Sequence, residues 1–549
     1  MDANGSGKSK AWTPLLFSLV MIFGMILGFN LRDTLRSKRD INTVIERNDR
    51  LEQVIDLINE KYVDSINGDN LYRDAITGIL RSLDPHTVYI PAEEMQEVNE
   101  DMEGSFSGIG VEFSIIRDTI QFTSVTDKGP AAQSGIEVGD QLIKVGDSVV
   151  AGNNITSERI IAMLKGQLKS NVKLTYRDYN AGGLKAVNVT RDLIPIYSVD
   201  AAFMLDDETG FIKINRFAAT TYKEFTDALR KLKNDGARQL VIDLRDNPGG
   251  YLEQVTKMVD ELLDGNKLIV YTQGAHTNRV DYNAGDKGLF EKGKVAILID
   301  ESSASASEIL AGAVQDWDRG IIVGRRSFGK GLVQEPYEMQ DRSELRLTVA
   351  KYFTPSGRSI QRSFARGRAA YEADYERRVE TGDVNDNELQ TDTTRYFTAN
   401  HRIVYGGGGI TPDVPVSFDT VRISADLRDR LASAELKAVI WDHFLAHRSS
   451  LRYKSINDYI ESFDGEDEVL NKYLAGVNIM HRKRVARELM MPGVKHYFKT
   501  HIKAHIARFL FRDNGYYAVL AQDDKVINAA MTVLDDNRRY SEIITGKAD

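Results

Sequence analysis

Val295-Ala296-Ile297-Leu298-Ile299 is an unbroken apolar run of strand length. Glu301-Ser302-Ser303-Ala304-Ser305-Ala306-Ser307-Glu308-Ile309-Leu310 carries the chain from it into a helix expected over Ala306 to Asp316. A strand that is apolar at every position has both faces covered, the mark of a parallel sheet flanked by helices. The unit recurs upstream. Phe211-Ile212-Lys213-Ile214 precedes a helix expected over Tyr222 to Leu232, and Leu240-Val241-Ile242-Asp243-Leu244 precedes one over Leu252 to Leu263. From Gly210 to about Phe353 the chain therefore reads as an α/β core.

Outward from this core the pattern changes. Gly104 to about Ile196 consists of short β-runs with glycine turns and one helix, Ser157 to Leu164. Before it, an apolar stripe marks a helix from Asp40 to Tyr62, and a second is expected over Leu71 to Leu83, stopped by Asp84-Pro85. After the core, residues 362–405 read as a polar insertion, partly loop. Phe418 to the end is helical in pattern, with a stripe of Val485, Leu489, Val494, Phe498, Ile502, Ile506 and Leu510. The expected segments are thus 1–39, 40–103, 104–196, 197–417 and 418–549.

The chain has 549 residues, enough for about three or four domains. Lys+Arg is 71 and Asp+Glu is 80, a net charge of −9, which argues against a dedicated nucleic-acid binder. There is no cysteine, so disulfides, thiolate metal sites and cysteine nucleophiles are excluded. Ala11 to Leu31 is a 21-residue stretch without charge, long enough to span a bilayer, preceded by Lys8 and Lys10. It reads as an uncleaved anchor at residues 1–39; a cleaved signal peptide is the rival reading.

The corner after Ile299 has two readings. Ser305 with Glu308 three residues later is a capping box. Alternatively, a serine where strand meets helix is a nucleophile, with helix N–H groups to stabilise an oxyanion. A serine needs a base, and none of the nine histidines lies near it in sequence. The other option is a lysine made neutral by burial, such as Lys330 in Ser327-Phe328-Gly329-Lys330-Gly331; an ordinary solvated loop lysine is the alternative. Asp243-Leu244-Arg245-Asp246-Asn247-Pro248-Gly249-Gly250 reads as a tight turn, or as glycines presenting a backbone N–H at the strand's carboxyl end.

Together these segments resemble the carboxyl-terminal processing peptidases, or tail-specific proteases. Ser-Ala-Ser-Ala-Ser-Glu surrounds Ser305, Phe-Gly-Lys-Gly surrounds Lys330, and Gln334 follows four residues later. Leu347 to Ile360, Gly409-Ile410-Thr411-Pro412-Asp413 and Leu83-Asp84-Pro85-His86-Thr87 match further family segments. The resemblance implies a ClpP/crotonase-like α/β catalytic core and a serine endopeptidase in which Ser305 is nucleophile, Lys330 neutral base and Gln334 its orienter. If Lys330 and Gln334 share a strand, their even spacing puts them on one face. The oxyanion hole is Ala306 N–H with Gly250 or Gly249; the sequence leaves the two glycines unseparated.

Residues 104–196 resemble a PDZ domain. Gly108, Ile109 and Gly110 form its carboxylate loop, Val111 and Phe113 its first strand, and Lys165 a weak candidate for tail sensing beside an ordinary surface lysine. The resemblance implies substrates with free C-terminal tails, no cofactor and no metal. It implies bacterial or organellar placement, and with the anchor stretch Ala11 to Leu31 the chain is read as a single-pass protein of the bacterial inner membrane with a periplasmic catalytic part and a possible lipoprotein adaptor. The C-terminal region is read as a dimer or partner surface, the alternative being that it only caps the core. His501 and His505, spaced i, i+4, form a weak metal signal without a nearby carboxylate. The rival from another class is a catalytically silent PDZ scaffold.

Overall fold

Residues 50–285, 287–382, 394–417 and 423–547 are described in a computed structural model of the chain. They form two units, one ending at Leu83 and one beginning at Asp84. In the first, residues 50–61 are helical and a second helix spans Gly68–Leu80. It starts earlier than its apolar pattern suggests because the Asn67 side chain caps it, accepting from the N–H of Asp69 at 3.0 Å.

Within the larger unit the central sheet runs Val199–Met204, Thr209–Ile214, Gln239–Asp243, Lys294–Ile299, Ile321–Gly324, Val414–Pro415. Only its first pair is antiparallel. Alternate residues face opposite ways. Ile212, Ile242, Val295, Ile297 and Ile299 pack beneath the helices Thr221–Asn234, Leu252–Asp260 and Ala306–Asp316. Phe211, Val241, Ala296, Leu298, Ile321 and Val323 face the other way, onto Val526, Ile527, Ala530, Val533 and Leu534 of the helix Lys525–Asp535. Both faces are buried, so the strands are apolar throughout; one cover comes from the far end of the chain.

A second, antiparallel sheet joins Val88–Ile90, Glu344–Phe353, Leu268–Gln273 and Val280–Asn283, with Leu332–Glu338 also paired to Glu344–Phe353. The insertion is more ordered than its composition suggests: Arg368–Thr381 is a helix and Arg395–Phe397 pairs with Ile403–Tyr405. That helix lacks an apolar stripe. It is held by polar and aromatic contacts, Arg362 lying 3.8 Å from the Tyr371 ring centre and Arg378 donating to the carbonyls of Arg326 and Ser327.

The PDZ sheet runs Val111–Ile116, Thr119–Val125, Gln141–Val145, Asn171–Arg177, Leu184–Thr190, all antiparallel. Ser105–Gly108 pairs with Asp192–Pro195 and so draws the two ends of this segment together. The C-terminal stripe turns inward: Val485, Leu489, Val494, Phe498, Ile502 and Ile506 are buried in a helical core of their own, with Leu510 against them. A stripe consumed in this way offers no dimer surface. A separate face of the region docks on the PDZ sheet, where Trp441 and Phe444 pack with Ile116 and Trp441 Nε1 donates to Gln121 Oε1 at 3.1 Å.

The expected inner-membrane, periplasmic placement is corrected. No helix among the described residues is long and apolar enough to cross a membrane, and the Ala11 to Leu31 stretch lies outside them.

Candidate active site

Ser305 stands immediately before the helix Ala306–Asp316 with φ 55° and ψ −111°, a conformation that non-glycine residues seldom adopt. Such a backbone persists only where its surroundings over-determine it. Here Glu308 does much of that. Its fully buried carboxylate accepts from Ser305 N–H at 2.9 Å, Lys330 N–H at 2.8 Å, Gly329 N–H at 2.7 Å and Ser327 Oγ at 2.5 Å. Burial raises this carboxyl above its ordinary range, against the pull of those donors. The sequence showed Glu308 only as a capping residue. Folded, it binds the serine corner to the lysine loop. Tyr352, buried between them, repeats the link: its one hydroxyl proton is shared between the carbonyls of Lys330 at 2.7 Å and Ser305 at 3.1 Å.

Burial first, and then the positive charge of Arg346, hold the Lys330 amine below its ordinary value. Its Nζ donates to Gln334 Oε1 at 3.0 Å. The even-spacing argument for this pair is corrected. The strand begins only at Leu332, and its register shifts between Val333 and Gln334. The two side chains meet because Lys330 reaches in from the loop, not because one flat strand presents both.

Gln334 Nε2 donates to the backbone carbonyl of His86 at 2.5 Å. No histidine lies near Ser305 in sequence, which neither supports nor excludes one, and the fold brings His86 beside this amide. Its Nε2 pairs with the Tyr371 hydroxyl at 2.9 Å. Burial, with Lys330 next, pushes its imidazole down to about 4, so it is neutral near pH 7.

The glycine turn lies against the serine corner. A side-chain Cβ on Gly249 would come within 2.8 Å of Ser305 Cβ, and one on Gly250 within 2.2 Å of the Phe217 carbonyl oxygen. Both glycines also have positive φ, 100° and 148°. Their N–H groups differ. That of Gly249 donates to Asn247 Oδ1 at 2.9 Å; Gly250 N–H has no such partner among the described hydrogen bonds. Asn247 is buried and ties the turn in place, its carbonyl accepting from Ala304 N–H and Ser307 Oγ at 3.0 Å each. Below it, burial pushes the Asp243 carboxyl up but Arg245 and Lys213 hold it down at about 2. Arg245 continues to Asp524 at 2.8 Å, so the base of the turn is ion-paired to the C-terminal region.

In the PDZ domain Gly108 ends one strand and Gly110 precedes the next, with Ile109 between them buried in the domain core. Val111 and Phe113 pack against that core. Val111–Ile116 lies at the sheet edge. Lys165 is engaged: its Nζ pairs with Glu100 and lies 4.7 Å from the Phe106 ring centre. The weak histidine pair makes other contacts, His501 Nδ1 donating to the Tyr497 carbonyl and His505 resting on Tyr516.

Comparison with known proteins identifies residues 208–367 with peptidase family S41, 97–177 with the PDZ domain, and 29–94 with the activating protease CtpB N-terminal domain. Residues 429–513 match a family of unknown function. A carboxy-terminal-processing protease of Bartonella bacilliformis is 33% identical over 319 residues, covering 57% of this chain and 72% of the relative. The carboxy-terminal processing protease CtpA of Bacillus subtilis is 31% identical over 361 residues, covering 64% and 75%. Among solved structures, the photosystem II D1 C-terminal processing protease is 25% identical with a TM-score of 0.32, covering 56% of this chain and 89% of that one.

Proposed function

Because the chain belongs to the carboxy-terminal processing proteases of peptidase family S41 and carries their PDZ domain, we propose that Ser305 and Lys330 are its nucleophile and general base. The observation that carries this reading is the half-buried Lys330 amine, its pKa held down, on a loop that Glu308 and Tyr352 bind to the strained Ser305 corner.

A neutral amine donates one N–H to Gln334 Oε1 and keeps its lone pair for the Ser305 hydroxyl proton. Ser305 Oγ bonds to the substrate carbonyl carbon, and the carbonyl oxygen becomes an oxyanion. The helix N-terminus favours negative charge there. Ala306 N–H and Gly250 N–H stabilise the oxyanion; Gly249 N–H is already committed to Asn247. The lysine, now an ammonium, returns its proton to the leaving amine, and water then cleaves the acyl-enzyme in the same manner. In the structure Lys330 Nζ is hydrogen-bonded to Gln334 and no bond joins it to Ser305 Oγ. Such contacts commonly tighten only when substrate is bound.

The PDZ domain binds the substrate's tail. An edge strand after a glycine loop suits strand addition by an extended peptide whose terminal carboxylate meets backbone N–H groups. The test uses one peptide with an apolar C-terminus as free acid and as amide, with wild-type, Ser305→Ala and Lys330→Arg enzymes. The acid is expected to be cut faster than the amide, and both variants to be inactive. Turnover by Ser305→Ala rules out the nucleophile; near wild-type turnover by Lys330→Arg rules out the base, since guanidinium accepts no proton.

A further inference from the structure

We propose that the helical region after residue 418 holds a divalent transition-metal site of the zinc class, formed by His443, His447 and Glu468. The two histidines lie one turn apart at the end of the helix Ala434–His447, and Glu468 lies in the first turn of the facing helix Glu466–Gly476. One ligand atom from each residue lies within 4.8 Å of the other two, the only such trio among the described residues.

The geometry fits coordination better than a plain ion pair. His443 Nδ1 and Glu468 Oε1 are 3.5 Å apart. That is long for a hydrogen bond. It is close to the ligand-to-ligand edge, roughly 3.3 Å, of a tetrahedron whose bonds are about 2.0–2.1 Å, as for zinc with nitrogen and oxygen. The imidazole rings are 4.3 Å apart, centre to centre. His447 Nδ1 sits 3.0 Å from the carbonyl oxygen of His443, which can only accept. The proton of a neutral His447 ring is therefore on Nδ1, and Nε2 keeps its lone pair. Metal-bound histidines are oriented by this kind of second hydrogen bond.

Packing holds His443 in its pose. It is 4% exposed, Phe463 meets it edge-on, and a Cβ on Gly465 would come within 2.9 Å of its Nε2. The crowded Nε2 side faces the Gly465 backbone, and the Nδ1 side faces Glu468. Glu468 is mostly exposed, so a metal can enter from solvent and keep a water as fourth ligand. Two imidazoles and one carboxylate suit zinc and its neighbours in the first transition row, not magnesium or calcium. The same helix meets the PDZ domain through Trp441, Asp442 and Leu445. Metal binding therefore clamps the PDZ-docking helix to the helix Glu466–Gly476 of its own domain.

The full-length chain, stripped with a chelator and dialysed, is titrated with zinc chloride by calorimetry, with magnesium chloride as control. One equivalent of zinc per chain is expected and no magnesium. His447→Gln and Glu468→Gln should each weaken zinc binding about tenfold or more, and His501→Gln should leave it unchanged. Circular dichroism checks that each variant is folded; Glu468→Gln, at an exposed position, keeps the test alive if a histidine variant does not fold. Absence of stoichiometric zinc, or equal affinity in Glu468→Gln and wild type, overturns the site; loss in His501→Gln alone moves it elsewhere.

Discussion

The two faces of the central sheet are covered in different ways. One lies under helices that follow its own strands in sequence, as in any strand–helix repeat. The other lies under Lys525–Asp535, more than 200 residues beyond Ile321–Gly324. The S41 match ends at residue 367, so this second cover belongs to the part of the chain outside it. The contrast teaches that the C-terminal region is not an appendage. It closes the core, reaches Arg245 under the glycine turn through Asp524, and grips the PDZ domain.

The strongest way to break this comparison is to remove the second cover. Truncation at residue 418 leaves Phe211, Val241, Leu298, Ile321 and Val323 exposed to water. We expect loss of cooperative thermal unfolding and of soluble expression; a truncated protein that stays folded and active would mean that the sheet tolerates one bare face.

Next in size is the chemistry on the first face. Ser305→Ala and Lys330→Arg should each lower kcat/KM by at least about 10³-fold while leaving the melting temperature close to wild type. The pH profile sharpens this. Only the neutral amine accepts a proton, so the rate should rise with pH through a lysine pKa below its ordinary value. His86, pushed down to about 4, is already neutral near pH 7, so His86→Gln should leave that midpoint unmoved. A midpoint that moves with His86 would make the histidine, not the lysine, the titrating group.

Glu308→Gln tests the link between serine and lysine loops. It puts an amide, itself a donor, where a carboxylate accepts four bonds, and leaving buried donors unpaired costs about 1–3 kcal/mol each. We expect destabilisation of about 3 kcal/mol together with a large fall in kcat, read by denaturant titration and steady-state kinetics. Stability loss without loss of kcat would reduce Glu308 to a cap.

The smallest effects on turnover are expected at the PDZ contact. Trp441→Ala removes a buried ring and should cost about 3–5 kcal/mol, whereas Arg117→Ala breaks an exposed pair with Asp442 and should cost under about 1 kcal/mol. Equal effects from the two would show that charge, not packing, holds the C-terminal region on the PDZ sheet.

Much of this was legible from local pattern. The α/β core and its helices follow from apolar runs such as Val295 to Ile299, and Ser305, Lys330, Gln334 and the glycine pair stand out by spacing and family resemblance. Glu308 was hidden because its cap signature is complete within four residues, while its bonds to Ser327, Gly329 and Lys330 come from a loop about 20 residues away. His86 stood in a family-matching segment, but its place beside Gln334 was hidden because only the fold brings the two together. The helix Arg368–Thr381 was hidden because arginine–aromatic contacts, not a stripe, hold it. The stripe at Val485 to Leu510 was visible as a stripe, but periodicity reports that a face is buried and not what buries it.

Strand and helix character, the serine and lysine segments and the PDZ glycine loop are properties of short stretches, set by side-chain period and by what a turn permits, so residue order alone carries them. Three things depended on tertiary structure: which glycine N–H of the turn Asn247 takes up, whether Lys330 is dry enough to be a base, and which surface receives each C-terminal helix. Each depends on atoms brought together from segments far apart in sequence. Desolvation and hydrogen-bond competition act over a few ångströms of space, whatever the distance along the chain.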